Sequence, residues 1–501
     1  MRQHPNIFQR ASSLVLMLFL FASASAQTYT FQYTPACLEA QQYISLLKLN
    51  QAKVILQKEK LAHPNNTAVD YLENYIDFYT LISSQNQELL KKLEPSKAIR
   101  LERISKCNLS NPYIRYAQAE INLQWAFSQA LVSEFVSAAV NFRSAYKLLE
   151  ANIKAYPNFE LNNKDMGMLK AVLGTTPDNY KWILGVVGMS GDFKGGIAQL
   201  EKYLTSAVDK PEQLLDKQSG EYYYILLQLN FGDKTACWNY CEKQTTDFQT
   251  NLLSNYLRSF TAVKTGRSER AIQTIVQRPH ADEYIAFPFL DYLLGVAKLN
   301  GLEEDAPIWL KKYVSYNKEQ NLVKDAYMRL SWYHYIHGNM AECDTYRKMA
   351  LTFGVAVSDE DKRAERECAS SELPDLEMLK VRLQQDGGYY NKALAMLRNV
   401  NEQRLQPKQK VEYAYRFARI YHETANQLKA VEYYHETIKS ATGIPIYYAP
   451  ISCLYLGNIF ESNGNKEIAL KYYKQVLTYK NYEYKSGITQ KAKAGISRLS
   501  T

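Results

Sequence analysis

Two histidines and a cysteine form the most suggestive chemical group in the chain. His334 and His337 are three residues apart in the segment SWYHYIHGN, and Cys343 follows shortly after. On a helix the two imidazoles share one face, and together with a thiolate they could bind a metal ion. A stable site needs three or four ligands held by further hydrogen bonds. Because histidine is also favourable near a helix C-terminus, the pattern favours a structural role, and no metal or cofactor is expected.

The cysteines do not predict a redox or zinc centre. There are seven of them, an odd number at wide spacings, and no CxxC pair occurs. Cys237 and Cys241 are one helical turn apart, a separation that rarely suits a disulfide. We therefore expect the thiols to be small buried groups of the core.

Motifs of the common enzyme classes do not occur. The sequence has no glycine-rich phosphate loop, no HExxH and no GxSxG, so an enzyme is not expected. Lys and Arg are interleaved with Asp and Glu, and a net charge of +9 over 501 residues disfavours a nucleic-acid partner. The 40 tyrosines suit the aromatic positions of a helical core, and the alternative is a surface that stacks on sugars or peptides.

A helical hairpin at Ala449–Lys480 is the element around which the rest of the chain is organised. Apolar residues recur at three- and four-residue spacing in two segments separated by Asn-Gly-Asn, which predicts two helices folded on each other. Small and bulky residues mark the predicted crossing and the turn: Leu456, Gly457, Phe460, Gly464, Ala469 and Tyr473. Such a unit cannot bury its apolar face alone, so further copies are expected.

Similar turns recur through the second half of the chain. They fall at Gly266, Gly301, Gly338, Gly388, Asn426 and Gly464, at intervals of 35, 37, 50, 38 and 38 residues. A small residue follows each turn: Ala271, Ala306, Cys343, Ala393, Ala430 and Ala469. The long interval holds an insertion at 358–374, whose charged helix either covers neighbouring helices or projects as a recognition loop. Ser486–Leu499 is expected to close the array, with Lys491, Lys493 and Arg498 on its outer face.

The Ala449–Lys480 unit resembles the tetratricopeptide repeat, a helix–turn–helix unit of about 34 residues. The resemblance implies an all-α fold, an α-solenoid of helical hairpins wound as a right-handed superhelix. It also implies that first-helix residues between the core positions line a concave groove suited to an extended peptide or a helix. Those residues are Glu412, Tyr415, Arg419, His422, Asn458 and Glu461.

A glycine-rich stretch, Pro157–Leu204, is the least generic part of the sequence. Each glycine costs about 1 kcal/mol inside a helix, so these glycines predict close backbone packing. Residues 130–205 resemble the tetratricopeptide repeat protein 39 family, which includes the fungal inclusion-body-clearance protein. The motif residues are Gly185, Gly188, Ser190, Gly191, Asp192 and Gly196. Known relatives are intracellular and associated with organelle surfaces or lipid handling.

Residues 1–26 have the pattern of a signal peptide. Arg2 and Arg10 precede the apolar run Leu14–Phe21, and Ala24-Ser25-Ala26 offers a cleavage site before Gln27. We expect an exported protein, periplasmic or extracellular, with no transmembrane helix in the mature chain, and an uncleaved signal anchor is the lesser option. Residues 27–247 are expected to form an N-terminal helical-repeat region, and residues 248–501 a C-terminal tetratricopeptide-repeat region.

Together these patterns predict a non-enzymatic helical-repeat scaffold at the cell envelope. Its concave surface is expected to bind a protein or a peptide partner. The alternative is a tyrosine-rich protein that binds a glycan or lipid ligand.

Overall fold

The computed structural model describes residues 28–176, 191–206, 210–243, 247–280, 282–316 and 318–499. Within these ranges the regular secondary structure is helical, and the only β-type pairing is an isolated bridge between Thr30 and Asn66. The expected all-α fold is therefore confirmed for this part of the chain. The predicted signal peptide at 1–26 lies outside the described residues.

The first helices alternate with short connections. They are α1 (Pro35–Ser45), α2 (Leu49–Ala62), α3 (Thr67–Ser84), α4 (Gln87–Ser105), α5 (Tyr113–Leu131), α6 (Phe135–Ala155), α7 (Leu161–Thr175), α8 (Phe193–Ser206), α9 (Leu214–Phe231) and α10 (Lys234–Lys243). Two 3₁₀ turns are also present in the described ranges, Pro211–Gln213 before α9 and Glu402–Arg404 in the second half of the chain.

The remaining helices follow the same plan. They are α11 (Leu252–Lys264), α12 (Ser268–Ile275), α13 (Phe289–Asn300), α14 (Ala306–Tyr316), α15 (Val323–Ile336), α16 (Met340–Thr352), α17 (Asp359–Ala369), α18 (Leu376–Asp386), α19 (Tyr390–Arg398), α20 (Pro407–Glu423), α21 (Gln427–Ser440), α22 (Tyr448–Ser462), α23 (Lys466–Val476) and α24 (Lys485–Leu499). None of the described helices combines the length and the apolar character needed to cross a bilayer.

Helices pack chiefly against their neighbours in sequence, as in an α-solenoid. The closest pairs are α5 with α6, α7 with α8, α15 with α16, α20 with α21, and α22 with α23. Since each hairpin leaves one apolar face uncovered, stacking of successive hairpins buries a continuous core.

Two of the predicted turns are displaced by one residue. A left-handed backbone ends the first helix at Gly266, Gly338, Gly388 and Gly464, as expected. In the other two hairpins Leu302 and Ala425 take the left-handed conformation, each with φ of 60°, in place of the predicted Gly301 and Asn426. Asn426 instead caps α21, because its side chain accepts a hydrogen bond from the backbone N–H of Lys429.

The hairpin cores depend on small residues. The residue that follows each turn is fully buried in every case: Ala271, Ala306, Cys343, Ala393, Ala430 and Ala469. In the Ala449–Lys480 unit the ring of Tyr473 is fully buried, with Gly457 against one edge and Gly495 against the other. A Cβ on Gly495 would lie 2.6 Å from the ring, so the glycines leave the space that the aromatic side chain fills.

The glycine-rich region brings two backbones close together. A Cβ on Gly167 of α7 would lie 2.8 Å from the carbonyl oxygen of Gly196 in α8, and Gly191 packs similarly against Gly174. The expected close packing is thus present where the structure describes it. The motif residues Gly185, Gly188 and Ser190 lie outside the described residues.

The stack also folds back on itself. The backbone N–H of Ser268 donates to the carbonyl of Gly387 (3.1 Å), and the Gln384 amide donates to the carbonyl of Asn300 (3.0 Å). Helix α18 therefore packs beside the α11–α12 and α13–α14 turns, far from it in sequence. In a simple repeat array each unit contacts only its neighbours in sequence, so these long-range contacts depart from that arrangement.

Contacts also join the N-terminal helices to the second half. The backbone N–H of Ile285 donates to the carbonyl of Leu47 (3.0 Å), and the Asn321 side chain donates to Gln85 (2.8 Å). Leu215 and Leu252 belong to one apolar cluster that crosses residue 247. The division at that residue stays a prediction.

Candidate functional site

The insertion helix α17 packs against the body of the protein. Its N-cap Ser358 accepts a hydrogen bond from the Asp361 N–H (3.0 Å). The buried Asp361 carboxylate in turn accepts from the N–H groups of Leu322 (2.7 Å) and Asp325 (3.1 Å), at the start of α15. Burial raises the pKa of Asp361 to about 6. Of the two alternatives for the insertion, covering the neighbouring helices is the one observed.

Buried ion pairs fix α17 to α15. Asp325 is fully buried and accepts hydrogen bonds from Tyr292 (2.7 Å) and Arg363 (2.8 Å), with Arg329 paired to the same carboxylate. Burial acts to raise the pKa of Asp325, but Arg329 and Arg363 outweigh it and lower that pKa to about 2. The insertion is thus held by a charge network that stays ionised at neutral pH.

The predicted groove residues of α20 lie in different surroundings. Tyr415 is buried, with its ring 4.7 Å from that of Tyr448. Glu412 is half-buried and forms an ion pair with Arg416 (2.7 Å). Arg419 and Glu412 are similarly accessible, because their side chains are 16% and 19% exposed to solvent.

The Arg419 guanidinium stacks on an aromatic ring of the next hairpin. It lies 4.2 Å from the centre of the Tyr455 ring and is also paired with Glu423. The ring of His422 approaches Tyr455 edge-on at 5.7 Å, and its Nδ1 is 2.9 Å from the Tyr434 hydroxyl. Burial, followed by the charge of Arg419, lowers the pKa of His422 to about 4, so this histidine is neutral at physiological pH.

Asn458 and Glu461 bind the core tyrosine of their own hairpin. The Tyr473 hydroxyl is 2.7 Å from Oδ1 of Asn458 and also contacts the Glu461 carboxylate. Glu461 further accepts two hydrogen bonds from Arg498 (2.9 and 2.8 Å). These contacts link α22, α23 and α24, and the Arg498 side chain remains 40% exposed, as expected for the terminal helix.

Lys234, Lys264 and Lys491 interact electrostatically with one another, and Lys234 also with Arg419. Nζ of Lys234 is 3.4 Å from the carbonyl of Lys264, whose own ammonium pairs with Glu360. Burial and then the charge of Arg419 lower the pKa of Lys234. The pKa of Lys491 is lowered chiefly by burial and further by Lys234 and Lys264, so these cations act on one another. Lys491 is exposed, as expected for the terminal helix, and interacts electrostatically with Lys234 and Lys264.

Aromatic residues extend this surface toward α17. The Arg366 guanidinium lies 5.0 Å from the Tyr484 ring, and the Tyr447 ring is 5.1 Å from Tyr484. The surface made by α17, α20, α22, α24 and the adjoining turns is named the inner face. Its residues are Arg366, Arg419, Tyr447, Tyr455 and Tyr484.

A second charge cluster is closed to solvent. Lys164 of α7 is fully buried, with Nζ 3.1 Å from Glu120, 3.1 Å from Asp165 and 3.3 Å from Asp216. Burial and the charge of Glu120 raise the pKa of Asp165 well above its usual value. Because all four side chains are at most 1% exposed, a substrate cannot reach them, and the cluster acts on stability.

The histidines with metal-ligand spacing have other partners. The His334 ring stacks on Tyr346 at 5.3 Å, and His337 donates from Nδ1 to the carbonyl of Tyr333 (2.8 Å). Cys343 is fully buried, and all seven cysteines are buried free thiols, as expected. In the described ranges no three His, Cys, Asp or Glu side chains are placed to hold a metal ion.

In comparisons with protein-family models and with curated proteins, the chain matches no family model and no curated protein.

Proposed function

We propose that the protein is a non-enzymatic helical-repeat scaffold whose inner face binds a segment of a partner protein. The observation that carries the proposal is the Arg419–Tyr455 stack at 4.2 Å, a largely buried but still accessible cationic and aromatic pair shared by two consecutive hairpins. Arginine and tyrosine are the residue types that dominate binding energy at protein interfaces. The Tyr484 ring, just before the following helix α24, lies 5.1 Å from the Tyr447 ring, so aromatic contacts continue to that helix.

The proposal includes the finer features that the sequence suggests. These are a right-handed superhelix of tetratricopeptide-like hairpins, kinship with the tetratricopeptide repeat protein 39 family, and export to the periplasm or the cell exterior. The repeat-like pairing of helices supports the first feature. The amino-terminal sequence pattern alone supports export.

The geometry favours a peptide over the alternative glycan ligand. A sugar ring stacks on an open aromatic face, but the Tyr455 ring faces Arg419 and the Tyr484 ring faces Arg366. Cation–π pairs of this kind are worth roughly 0.5–2 kcal/mol, which a sugar would have to displace. A peptide can instead add hydrogen bonds to the guanidinium groups while leaving them stacked.

Site-specific photo-crosslinking tests the proposal. A photoreactive phenylalanine analogue replaces Tyr455 on the inner face or Leu428, which is 87% exposed on the second helix of a hairpin. In the cells that make the protein, we expect a discrete adduct from position 455 and none from position 428. Equal adducts from both positions, or no adduct from 455, would argue against an inner-face binding site.

A further inference from the structure

The buried cluster around Lys164 contains more acids than bases. Glu120, Asp165 and Asp216 each have an oxygen within 3.3 Å of Lys164 Nζ, and among the described residues no other cation pairs with them. Three ionised carboxylates would leave two negative charges uncompensated in a site closed to water, which costs far more than binding a proton. We propose that Asp165 keeps its proton in the folded protein at neutral pH and donates it to Glu120, so that this region loses stability as the pH rises.

The hydrogen bonds identify which of the three acids carries the proton. Glu120 accepts three of them, from Tyr75 (3.0 Å), Gln124 (3.3 Å) and Lys164 (3.1 Å). Asp165 differs, because neither of its carboxyl oxygens accepts a hydrogen bond from a described group, although Oδ1 is 3.1 Å from Lys164. Donors stabilise the ionised form of a carboxyl group, so the acid without them is the one that stays neutral.

Asp216 is the alternative holder of the proton, but several donors reach its carboxylate. Its Oδ1 accepts from Tyr116, from Lys164 (3.3 Å) and from Tyr71 (3.5 Å). Burial raises the pKa of Asp216, and Lys164 and Tyr116 oppose this rise. At Asp165 the negative charge of Glu120 adds to burial, and the pKa is raised well above its usual value. The surroundings therefore favour the proton on Asp165.

Glu120 is the acceptor closest to the Asp165 proton in chemistry and in position. Both carboxyl groups contact the same ammonium group, at 3.1 Å in each case. A carboxylate offers about four acceptor positions, and three donors reach Glu120, so one position is left for the Asp165 hydroxyl. Tyrosine hydroxyls from the surrounding elements also face the cluster, and burial keeps them neutral by raising their pKa: Tyr33, Tyr71, Tyr75, Tyr79, Tyr113, Tyr116, Tyr203 and Tyr223.

The pH dependence follows from the two states of Asp165. In the unfolded chain this carboxyl group titrates at its ordinary pKa of 3.8, whereas the folded protein retains the proton to a higher pH. Folding therefore takes up one proton, and its equilibrium constant should fall roughly tenfold for each pH unit while the folded group stays protonated. Helices α3, α5, α7 and α9 meet at the cluster, so the N-terminal half is the part that weakens.

Asp165→Asn tests the proposal, because the amide has the shape and a hydrogen-bond donor of the protonated acid but cannot ionise. Urea unfolding of the full chain is measured for wild type and variant between about pH 5 and pH 7. We expect the folding equilibrium constant of the wild type to fall relative to that of Asp165→Asn by roughly tenfold per pH unit. At pH 7 the variant should be at least as stable as the wild type. A ratio of the two constants that does not change with pH would overturn the proposal.

Asp325→Asn is the matched control. Asp325 is also fully buried, but Arg329 and Arg363 pair with its carboxylate and hold it ionised. Its amide variant should be less stable than the wild type throughout this pH range, because two buried arginines lose their counter-charge. Equal losses of stability for the two asparagine variants at pH 7 would contradict a protonated Asp165.

Infrared spectroscopy of the wild-type protein gives a test that does not depend on the folding of any variant. At pH 7 we expect the carbonyl stretch of a buried protonated carboxyl group, and carbon-13 labelling of aspartate should shift this band. Absence of such a band from the wild type would overturn the proposal. A band that persists unchanged in folded Asp165→Asn would also overturn it, because the proton would then lie on another acid.

Discussion

The fold-back of α18 onto the earlier turns predicts an unusually large cost for one glycine substitution. Gly388 has φ of 83°, and a Cβ at this position would overlap the carbonyl oxygen of Gly266. Gly464 has a similar φ of 77°, but no described atom lies within 4 Å of its Cβ position. Both substitutions introduce the same backbone strain, but only Gly388→Ala also disturbs the contact between two turns. Comparing the two variants therefore separates the two contributions to the loss of stability.

The two costs can be estimated separately. A left-handed alanine costs roughly 1–2 kcal/mol at either position. At Gly388 the turn must also move away from Gly266, which endangers the Ser268–Gly387 hydrogen bond and the buried Gln384–Asn300 hydrogen bond. Each such bond contributes about 0.5–1.5 kcal/mol net. We expect Gly464→Ala to destabilise by about 1–2 kcal/mol and Gly388→Ala by about 2–5 kcal/mol.

Equilibrium urea unfolding measures this difference. Far-UV circular dichroism and tryptophan fluorescence should be followed together, because a long helical array can unfold in more than one step. Hydrogen exchange in 376–398 reports directly whether α18 has detached from the earlier turns. Equal losses for Gly388→Ala and Gly464→Ala, with unchanged exchange in that segment, would refute the predicted contact between the turns.

Three further predictions concern stability. Lys164→Met removes the cation shared by the buried carboxyl groups of Glu120, Asp165 and Asp216 and should lower the free energy of unfolding in urea by about 3–5 kcal/mol; a loss below about 1 kcal/mol would contradict this. Gly495→Ala should lower the thermal midpoint because the new Cβ meets Tyr473, whereas Gly487→Ala on the same helix, which meets no described atom within 4 Å, should leave it equal or higher. Burial lowers the pKa of His422 from 6.5 to about 4 in the folded protein. As the pH falls, the unfolded chain therefore binds a proton at this histidine before the folded protein does, and stability should fall between about pH 6.5 and pH 4. His422→Gln should remove about 1–3 kcal/mol of that pH dependence in urea titrations, and an unchanged pH profile would show that the pKa is not lowered.

Local patterns predicted the hairpins well, because helix period and turn chemistry lie within one short segment. The spacing of the turns gave the positions of the first and second helices. The same spacing predicted the alanines after the turns, and these are buried. The one-residue errors at Leu302 and Ala425 arose where a non-glycine residue took the left-handed position. Glycine and asparagine were the only cues available there.

Long-range contacts could not be predicted from spacing. The contact between Gly388 and Gly266 joins two turns that are 122 residues apart, and no periodicity in the sequence indicates it. Lys164 has the residue type of a surface position, and only the fold shows that it is buried.

Part of the candidate site was also missed for this reason. Arg419 was found because it follows the repeat register on its own helix. Lys234 and Lys264 lie at the ends of α10 and α11, far from Arg419 in sequence, so only the fold shows that Lys234 lies beside Lys264 and interacts with Arg419.

The measurement that tests the central claim most directly is the affinity of the crosslinked partner for two single variants. Isothermal titration calorimetry compares the wild type with Arg419→Ala on the inner face and Leu428→Ala on the second helix of the hairpin. Loss of a buried arginine contact costs about 2 kcal/mol or more, so we expect Arg419→Ala to bind at least roughly thirtyfold more weakly and Leu428→Ala to bind like wild type. Wild-type affinity for Arg419→Ala, or a loss confined to Leu428→Ala, would contradict binding at the inner face.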